Sequence, residues 1–306
     1  MFSKHRGEFL LVLGALFFSA NGIVATVVLE HMQAFRLAQI RSLAAAAVLA
    51  IYVLMTRPHL IKIELRQVPY FFIYGIGGFA LVNFGYFLGI ERGVPLALVL
   101  ILEFTASIWI ALWIRFVRKG FVANEMWIGI ALSFVGLILI SKAWSGFHFD
   151  LIGILGSLGS AFALSFYFLA SEKIGAKREP IAKLIFGMGF AGLFWLVVLP
   201  PWKFPFAVFT MKMNMSGIAD GIVLPGWLLI AYVVLLGTVA PYMCVLSGMQ
   251  SLSASTSSVI GMLEPVIAGI FAWIWFGQSW DVVQLVGAAV VLVGIYLADR
   301  AKSVTA

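Results

Sequence analysis

Two glutamates stand in stretches of this sequence where an acidic side chain is costly. Residues 221–263 carry no charge at all, and Glu264 follows directly, with apolar residues on both sides. Glu103 is the one charged residue of the apolar stretch 93–114. A charged side chain at the centre of a bilayer costs about 2.5–3.5 kcal/mol or more, so an acid there usually faces a protein interior or a wet cavity. The pair could respond to protons or bind the ammonium group of a substrate.

A structural role for these acids is the alternative. Glu264 precedes Pro265, and a proline inside a helix has no N–H to donate, which leaves the carbonyl four residues earlier without its partner. A neighbouring polar side chain can satisfy such a freed backbone group. The residues that share a helical face with Glu264 are mostly small or polar, which directs this face towards other helices: Ser253, Ser257, Gly261, Ala268 and Phe271. Both interpretations stay open for the two acids.

Further candidates come from a second proline and from aromatic residues. Pro241 would free the carbonyl of Gly237 for a ligand or a water, and Tyr242 beside it could add a polar group. Phe162 and Phe166 could stack on an aromatic ring, although the small residues around them are also typical of close helix packing. The predicted substrate cavity is lined by Asn21, Phe79, Asn83, Tyr86, Glu103, Phe162, Phe166, Tyr242, Ser257 and Glu264. The predicted helix kinks are Pro241 and Pro265.

Other polar residues offer less chemistry. Arg41 is expected to extend towards the outer interface of the membrane or to pair with Glu30. His5 and His31 have no metal-ligand partners at a useful spacing. The sequence has no Walker-type phosphate loop, no G-x-S-x-G and no catalytic triad. These observations predict no enzyme activity, no metal and no cofactor.

The elements that carry these residues must be membrane helices. Of the 306 residues, 63% are hydrophobic and 11% are charged, against about 25% charged in a soluble domain. A helix needs about 20 apolar residues to span a bilayer. The chain holds ten such spans: 8–29, 37–56, 68–90, 95–115, 124–141, 151–171, 181–202, 226–248, 253–276 and 282–298. The first apolar run is long for a signal peptide, so it is expected to be a retained helix. We therefore predict an all-α integral membrane protein.

Lysine and arginine residues indicate how the spans are oriented. With the N-terminus inside, the inner segments hold 14 of these residues and the outer segments hold 5. Cytoplasmic loops carry such an excess of positive charge. The bias predicts that both termini are cytoplasmic and that the chain lies in the plasma membrane, which is the inner membrane of a double-membraned cell. It also explains the net charge of +7 without nucleic acid as a partner.

The second half of the sequence echoes the first. The stretch 92–113 aligns with 251–273, which places Glu103 over Glu264. Three glycine pairs match in the same order: Gly78 with Gly237, Gly129 with Gly287, and Gly136 with Gly294. Five spans per half is an odd number, so the halves would have opposite orientations in the membrane, as in many secondary transporters. We predict two inverted five-helix repeats, 1–145 and 146–306; chance similarity between leucine-rich helices is the alternative.

On these features the chain resembles the drug/metabolite transporter superfamily, in its ten-helix EamA-type branch. The paired halves, the glycines of the last helix in each half and the segment SASTSSVIGMLEPVIAGIFAWIWFGQ at 253–278 carry the resemblance. Within that branch the chain is similar to YddG-type exporters of aromatic and other amino acids. Two positions depart from the family pattern. Gln278 stands where many members have a glutamate, and Phe104 stands at the first-half counterpart of Pro265.

The resemblance implies a secondary transporter that exports aromatic and other neutral amino acids, or similar small metabolites, by alternating access through a largely apolar central cavity. Spans 1, 3, 4, 6, 8 and 9 are expected to form the cavity wall, with spans 5 and 10 as peripheral packing elements. Proton coupling through Glu103 and Glu264 is a hypothesis, and the protein is expected to be a monomer or a weak dimer. The alternatives are efflux of drugs or cations, transport of nucleotide sugars, a channel, and a membrane enzyme that acts on lipids. A nucleotide sugar would need basic residues at the site, and an enzyme would need a polar cluster at one interface.

Overall fold

The computed structural model describes residues 2–141, 150–174, 178–215, 217–277 and 280–301. Within them, ten helices are long and apolar enough to cross a membrane: α1 His5–Leu29, α2 Ala34–Thr56, α3 Leu65–Glu91, α4 Leu96–Val117, α5 Asn124–Ser141, α6 Leu151–Ile174, α7 Pro180–Val198, α8 Gly226–Gly248, α9 Ala254–Trp275 and α10 Val282–Arg300. The prediction of an all-α membrane protein with ten spans is confirmed. The helix ends differ by a few residues from those predicted. Gln278 and the predicted boundary between residues 145 and 146 lie outside the described residues.

The connection between α7 and α8 has structure that the sequence pattern does not predict. Strand β1, Lys212–Asn214, pairs antiparallel with strand β2, Val223–Pro225. Met213 at the centre of β1 is wholly buried, so the hairpin is packed against the helices. The Asn214 amide donates to the Asp220 carboxylate over 2.9 Å and closes the turn.

Helices α5 and α10 pack directly on each other through glycines. A Cβ atom added at Gly136 would lie 2.5 Å from the carbonyl oxygen of Gly287, and one added at Gly129 would lie 2.6 Å from that of Gly294. Such a close backbone approach is available only where side chains are absent, as at other small-residue interfaces between membrane helices. The matched glycines of the sequence are thus the contact surface between these two helices.

Four of the ten helices are irregular near the middle of the membrane. Helices α3 and α8 contain π-helical segments, Ile76–Ala80 and Leu235–Val239. In α8 this segment lies just before Pro241, which cannot donate to the helix ladder. Helices α4 and α9 are interrupted at Thr105 and Met262. The Thr105 hydroxyl donates to a carbonyl three residues earlier over 2.7 Å and competes there with the helical hydrogen bonds. Irregular backbone at membrane depth is tolerated only against protein or a cavity.

The packing of the helices brings the irregular ones together. Helix α1 contacts α8 and α9, while α6 contacts α3 and α4. Helices α2 and α7 pack on each other across the molecule. Arg36 in α2 and Lys183 in α7 are both buried in this pair, and Lys183 has no exposed surface. Both are among the lysines and arginines that the sequence pattern assigns to the inner and outer segments. The centre of the bundle is therefore surrounded by α1, α3, α4, α6, α8 and α9, with α2 close by.

Candidate functional site

A small cavity of about 70 Å³ lies at this central meeting point. Its walls come from the six helices predicted to form them, and α2 adds a seventh contribution through Arg41. A ligand pocket for a drug-sized molecule usually measures about 300–1,000 Å³. The cavity in this conformation therefore has room for a few water molecules, and a larger cargo would require the helices around it to separate.

Seven of the ten residues predicted to line a substrate cavity lie on the wall of this one: Asn21, Asn83, Tyr86, Glu103, Tyr242, Ser257 and Glu264. Phe79 stands behind the wall, with its ring centroid 5.0 Å from that of Tyr242. Tyr167, which the sequence does not single out, lines the cavity and contacts both of these rings. The structure brings together residues from positions 21 to 264, which makes this cavity the candidate functional site.

Phe162 and Phe166 are corrections to the prediction, because neither faces the cavity. Phe162 is 53% exposed and packs on Trp109 with ring centroids 4.5 Å apart. Both phenylalanines line a peripheral groove beside α4 instead. They are four residues apart on one face of α6, whereas Leu164 and Tyr167, on the other face, reach the cavity. The expected contact of these two rings with the cargo is therefore not supported by their positions.

Glu103 is buried and held by a serine of α6. The Ser160 hydroxyl lies 2.6 Å from Oε1 of Glu103 and 3.0 Å from the carbonyl oxygen of Val82 in α3. A hydroxyl has a single proton to donate. This proton is therefore shared between the two acceptors, unless the Glu103 carboxyl is itself protonated and donates to Ser160. Glu103 is thus linked through Ser160 to three helices, and the proton on its carboxyl determines how strong these links are.

Glu264 has a different environment from its predicted counterpart. Its carboxyl group makes no hydrogen bond to any residue that the structure describes, and it is only partly buried because it borders the cavity. The Ser19 hydroxyl of α1 instead donates to the backbone carbonyl of Glu264 over 2.9 Å. The helix break lies two residues before Glu264, at Met262, but two residues after Glu103, at Thr105. Both acids therefore border the cavity, but of the two carboxyl groups only that of Glu103 is hydrogen-bonded to a described residue of a neighbouring helix.

Arg41 overturns a prediction. It is only 2% exposed, and it neither reaches the outer interface nor pairs with Glu30. Its Nε donates to the Thr238 hydroxyl over 2.5 Å, and its Nη2 donates to the carbonyl oxygen of Gly237. The physical reason is the length of α2, which begins at Ala34 rather than at residue 37. Three more residues place Arg41 about 4.5 Å further from the start of the helix, where its neighbours are the polar groups of α8.

The sequence does not predict the contact of Arg41 with α8, but Pro241 explains why an acceptor is available there. Pro241 leaves the carbonyl of Gly237 without its helical donor, and the arginine occupies that free acceptor. The guanidinium also lies over two aromatic rings, 5.3 Å from the centroid of Phe87 and 5.9 Å from that of Tyr242. The arrangement places a buried cation, held by neutral groups, at the edge of the cavity.

Three further polar atoms of residues at the cavity lack hydrogen-bond partners among the described residues. They are Oδ1 of Asn21, Oη of Tyr167 and Oγ of Ser257, and all three side chains are at least nine-tenths buried. A buried polar atom without a partner costs about 1–3 kcal/mol. In this conformation they are covered, with Oδ1 of Asn21 packed against Gly237, so they become available to a polar molecule when the helices around the cavity separate.

These features define the chain as a polytopic membrane protein with a largely apolar cavity, bordered by a few polar side chains, at the centre of its helix bundle. The chain belongs to the EamA-like transporter family, whose model matches residues 5–142 and 151–298. The resemblance seen in the sequence to the EamA branch is thereby confirmed, while the finer similarity to YddG-type exporters stays a prediction. Family members and named relatives are transporters, so the chain is a transporter and not an enzyme.

Individual relatives are similar at low identity over most of the chain. The uncharacterized transporter YdfC of Bacillus subtilis is 28% identical over 87% of this chain and 80% of its own length. The threonine/homoserine exporter RhtA of Escherichia coli is 25% identical over 74% of this chain and 69% of its own. A probable amino-acid metabolite efflux pump of Salmonella typhimurium is 23% identical over 96% of this chain and 95% of its own. The crystal structure of another protein has the same fold. It superposes on this chain with a TM-score of 0.74 and is 17% identical, and the match covers 99% of this chain and 100% of the other.

Proposed function

We propose that this transporter exports neutral amino acids, aromatic ones included, or closely similar small metabolites, out of the cytoplasm. The observation that carries the proposal is the central cavity, which combines two carboxyl groups, an arginine and unpartnered amide and hydroxyl groups with aromatic walls. Acidic, basic and neutral polar groups together suit a small molecule that bears both charges. Two relatives, a threonine/homoserine exporter and a probable amino-acid metabolite efflux pump, agree with this cargo.

Alternating access between two inverted halves, 1–145 and 146–306, is the proposed mechanism. Each of the two segments that match the family model contains five of the ten helices. The packing also supports a two-fold relation. In the proposed halves α1, α3 and α4 correspond to α6, α8 and α9. Helix α1 contacts α8 and α9, and its counterpart α6 makes the equivalent contacts with α3 and α4. The π-helical segments add to this support, since Gly78 and Gly237 are each the third of five residues. A cavity at the interface of such halves opens to one side or the other when they rock.

The transporter is proposed to lie in the plasma (inner) membrane with both termini in the cytoplasm, as a monomer or a weak dimer. The excess of lysine and arginine in the inner segments supports this orientation, and it remains when Arg36 and Lys183 are left out of the count. A reporter that is active only in the cytoplasm, fused after the last residue, tests the orientation. Activity only in a periplasmic or external reporter would contradict it.

Proton coupling is proposed to run through Glu103. A proton on this carboxyl lets Ser160 donate its own proton wholly to the backbone of α3, and loss of the proton leaves Ser160 with one proton for two acceptors. Protonation would thus change how firmly α4 and α6 are tied to α3, which is the kind of change that a rocking motion needs. Glu264, open to the cavity, is placed to contact the cargo.

The test is the flux of labelled threonine, phenylalanine and methionine in proteoliposomes with and without a pH gradient. We expect wild-type flux above that of protein-free liposomes, and acceleration by the gradient. Glu103→Gln is expected to keep flux but lose its response to the gradient. Glu125→Gln is the matched control, because Glu125 is an exposed acid in the first turn of α5.

The outcomes separate cargo from coupling. Wild-type liposomes that move none of the three amino acids would overturn amino acid export. Flux that ignores the gradient in wild-type protein would overturn coupling and leave a facilitator. A response to the gradient that survives in Glu103→Gln would move the coupling role away from Glu103.

A further inference from the structure

Arg41 is a buried cation without an anionic partner. No carboxylate oxygen of the described residues lies within 4.0 Å of its guanidinium, and its hydrogen bonds go to the neutral Thr238 and Gly237. A buried guanidinium is normally paired with a carboxylate or phosphate that matches its planar set of donors. Arg41 borders the cavity that Glu103 and Glu264 share. The structure therefore holds a site for an anion that the protein itself does not supply.

The same cavity also offers acceptors that the protein leaves unused. The Glu264 carboxyl has no hydrogen-bond partner among the described residues, and Oδ1 of Asn21 is buried with none. An ammonium group has three donors and no acceptor, so it fits these oxygens. Residues around one small cavity thus hold donors for an anion and acceptors for a cation. Glu264 borders the cavity already, and Oδ1 of Asn21 becomes accessible when α8 moves away from α1, because it is packed against Gly237.

We propose that Arg41 is the residue that binds the α-carboxylate of the cargo, while Glu264 and Asn21 receive its α-ammonium group. The inference rests on the proposed function, and it makes the zwitterionic backbone of an amino acid the recognised feature. In this mode the side chain of the cargo would contact the aromatic rings of Tyr86, Tyr167 and Tyr242. It accounts for a transporter that accepts several neutral amino acids.

The present contacts of Arg41 are then those of the cargo-free state. Arg41 belongs to α2, and the groups that it binds belong to the π-helical segment of α8. These two helices lie in different proposed halves, so the arginine ties the halves together. A carboxylate that takes over the guanidinium frees the Gly237 carbonyl and releases this tie. Cargo binding and separation of the halves would be one event.

The first test needs no mutation. Flux of labelled threonine by wild-type proteoliposomes is measured in competition with unlabelled threonine, with threoninamide, which lacks the carboxylate, and with 3-hydroxybutyrate, which lacks the ammonium group. Loss of one charge-assisted contact corresponds to roughly tenfold or more in affinity. We expect both analogues to inhibit at least tenfold more weakly than threonine. Threoninamide that competes as well as threonine would overturn the role of a carboxylate anchor.

The second test assigns the carboxylate contact to Arg41. Arg41→Lys keeps the charge but loses the planar donor pair, so its KM for threonine is expected to rise at least tenfold. Arg41→Gln is expected to lose the preference for threonine over threoninamide. Arg36→Lys is the control, since Arg36 lies on the same helix, is also buried, and binds Gln39 and the Pro200 carbonyl away from the cavity. Its KM is expected to stay within about twofold of wild type.

A purely structural arginine gives a different result. If Arg41 only ties the helices, the folded Arg41 variants lose turnover or stability while the preference for the carboxylate is unchanged, and the proposal is overturned. If the variants do not fold, as judged by size-exclusion profile, the wild-type competition decides. Wild-type protein that transports no amino acid overturns the proposed function, and this inference with it.

Discussion

The glycine contact between α5 and α10 allows a stability prediction worked from the structure. A Cβ atom at Gly136 would lie 2.5 Å from the carbonyl oxygen of Gly287 and 2.7 Å from the backbone nitrogen of Val291, where ordinary contacts begin at 3.4 Å. The helices would have to separate locally by about 0.9 Å, because backbone atoms cannot rotate away. Overpacking of this kind costs about 1–3 kcal/mol.

Gly159 provides the matched control for Gly136→Ala. It lies within a membrane helix, α6, and an added Cβ there meets nothing within 4 Å. Both substitutions gain the same helix propensity, about 1 kcal/mol for Gly to Ala. The difference between them therefore isolates the clash, and Gly136→Ala is expected to be less stable than Gly159→Ala by about 1–3 kcal/mol.

The assay is unfolding of the purified variants in mixed micelles with increasing denaturing detergent, followed by tryptophan fluorescence. Both variants are prepared in the same lipid and detergent ratio as wild type. Equal unfolding midpoints for Gly136→Ala and Gly159→Ala would refute the close approach of α5 and α10. Flux per folded molecule should stay near wild type in both, since neither glycine borders the cavity.

Three further substitutions test other parts of the structure. Gly237→Ala drives a methyl group into the side chain of Asn21, so flux should fall at least tenfold in folded protein, whereas equal flux would place the cargo elsewhere. Phe162→Leu should leave KM within about twofold of wild type, because the ring faces a peripheral groove; a large rise in KM would show that Phe162 contacts the cargo. Glu172→Ala removes the acceptor for the backbone N–H of Ala254 at the start of α9, and should lower the free energy of unfolding by about 1 kcal/mol, measured in the same micelle titration.

The spans and the cavity residues could be predicted because their physical causes are local or repeated. Apolar length alone identifies a membrane helix. An acid such as Glu264 or Glu103 in an apolar stretch is costly to expose to lipid, so its side chain is expected to point into the helix bundle. The freed carbonyl of Gly237 likewise follows from Pro241, and the structure shows that it is used.

The errors arose where the environment of a residue depends on another helix. Arg41 was misplaced because its depth follows from where α2 begins and its partner lies nearly 200 positions further along the chain, at Thr238. Phe162 and Phe166 lie on a helix that is apolar or small all round, so no period in the sequence separates the cavity face from the lipid face. The hairpin of β1 and β2 depends on packing against the bundle, since strands of three residues carry little pattern of their own.

The π-helical segments of α3 and α8 have a consequence for the phase of these helices. A π-helical turn holds an extra residue, and one residue corresponds to about 100° of rotation around the axis of an α-helix. The buried positions of α8 before and after Leu235–Val239 therefore follow helical periods that are offset by one residue in the sequence, and the same applies to α3 across Ile76–Ala80. A single-residue deletion within either segment would remove the extra residue, so that an unbroken α-helix could form with the side chains on both sides in their present directions. An unbroken α-helix of the present length would instead rotate every side chain on one side of the segment by about 100° away from its neighbours.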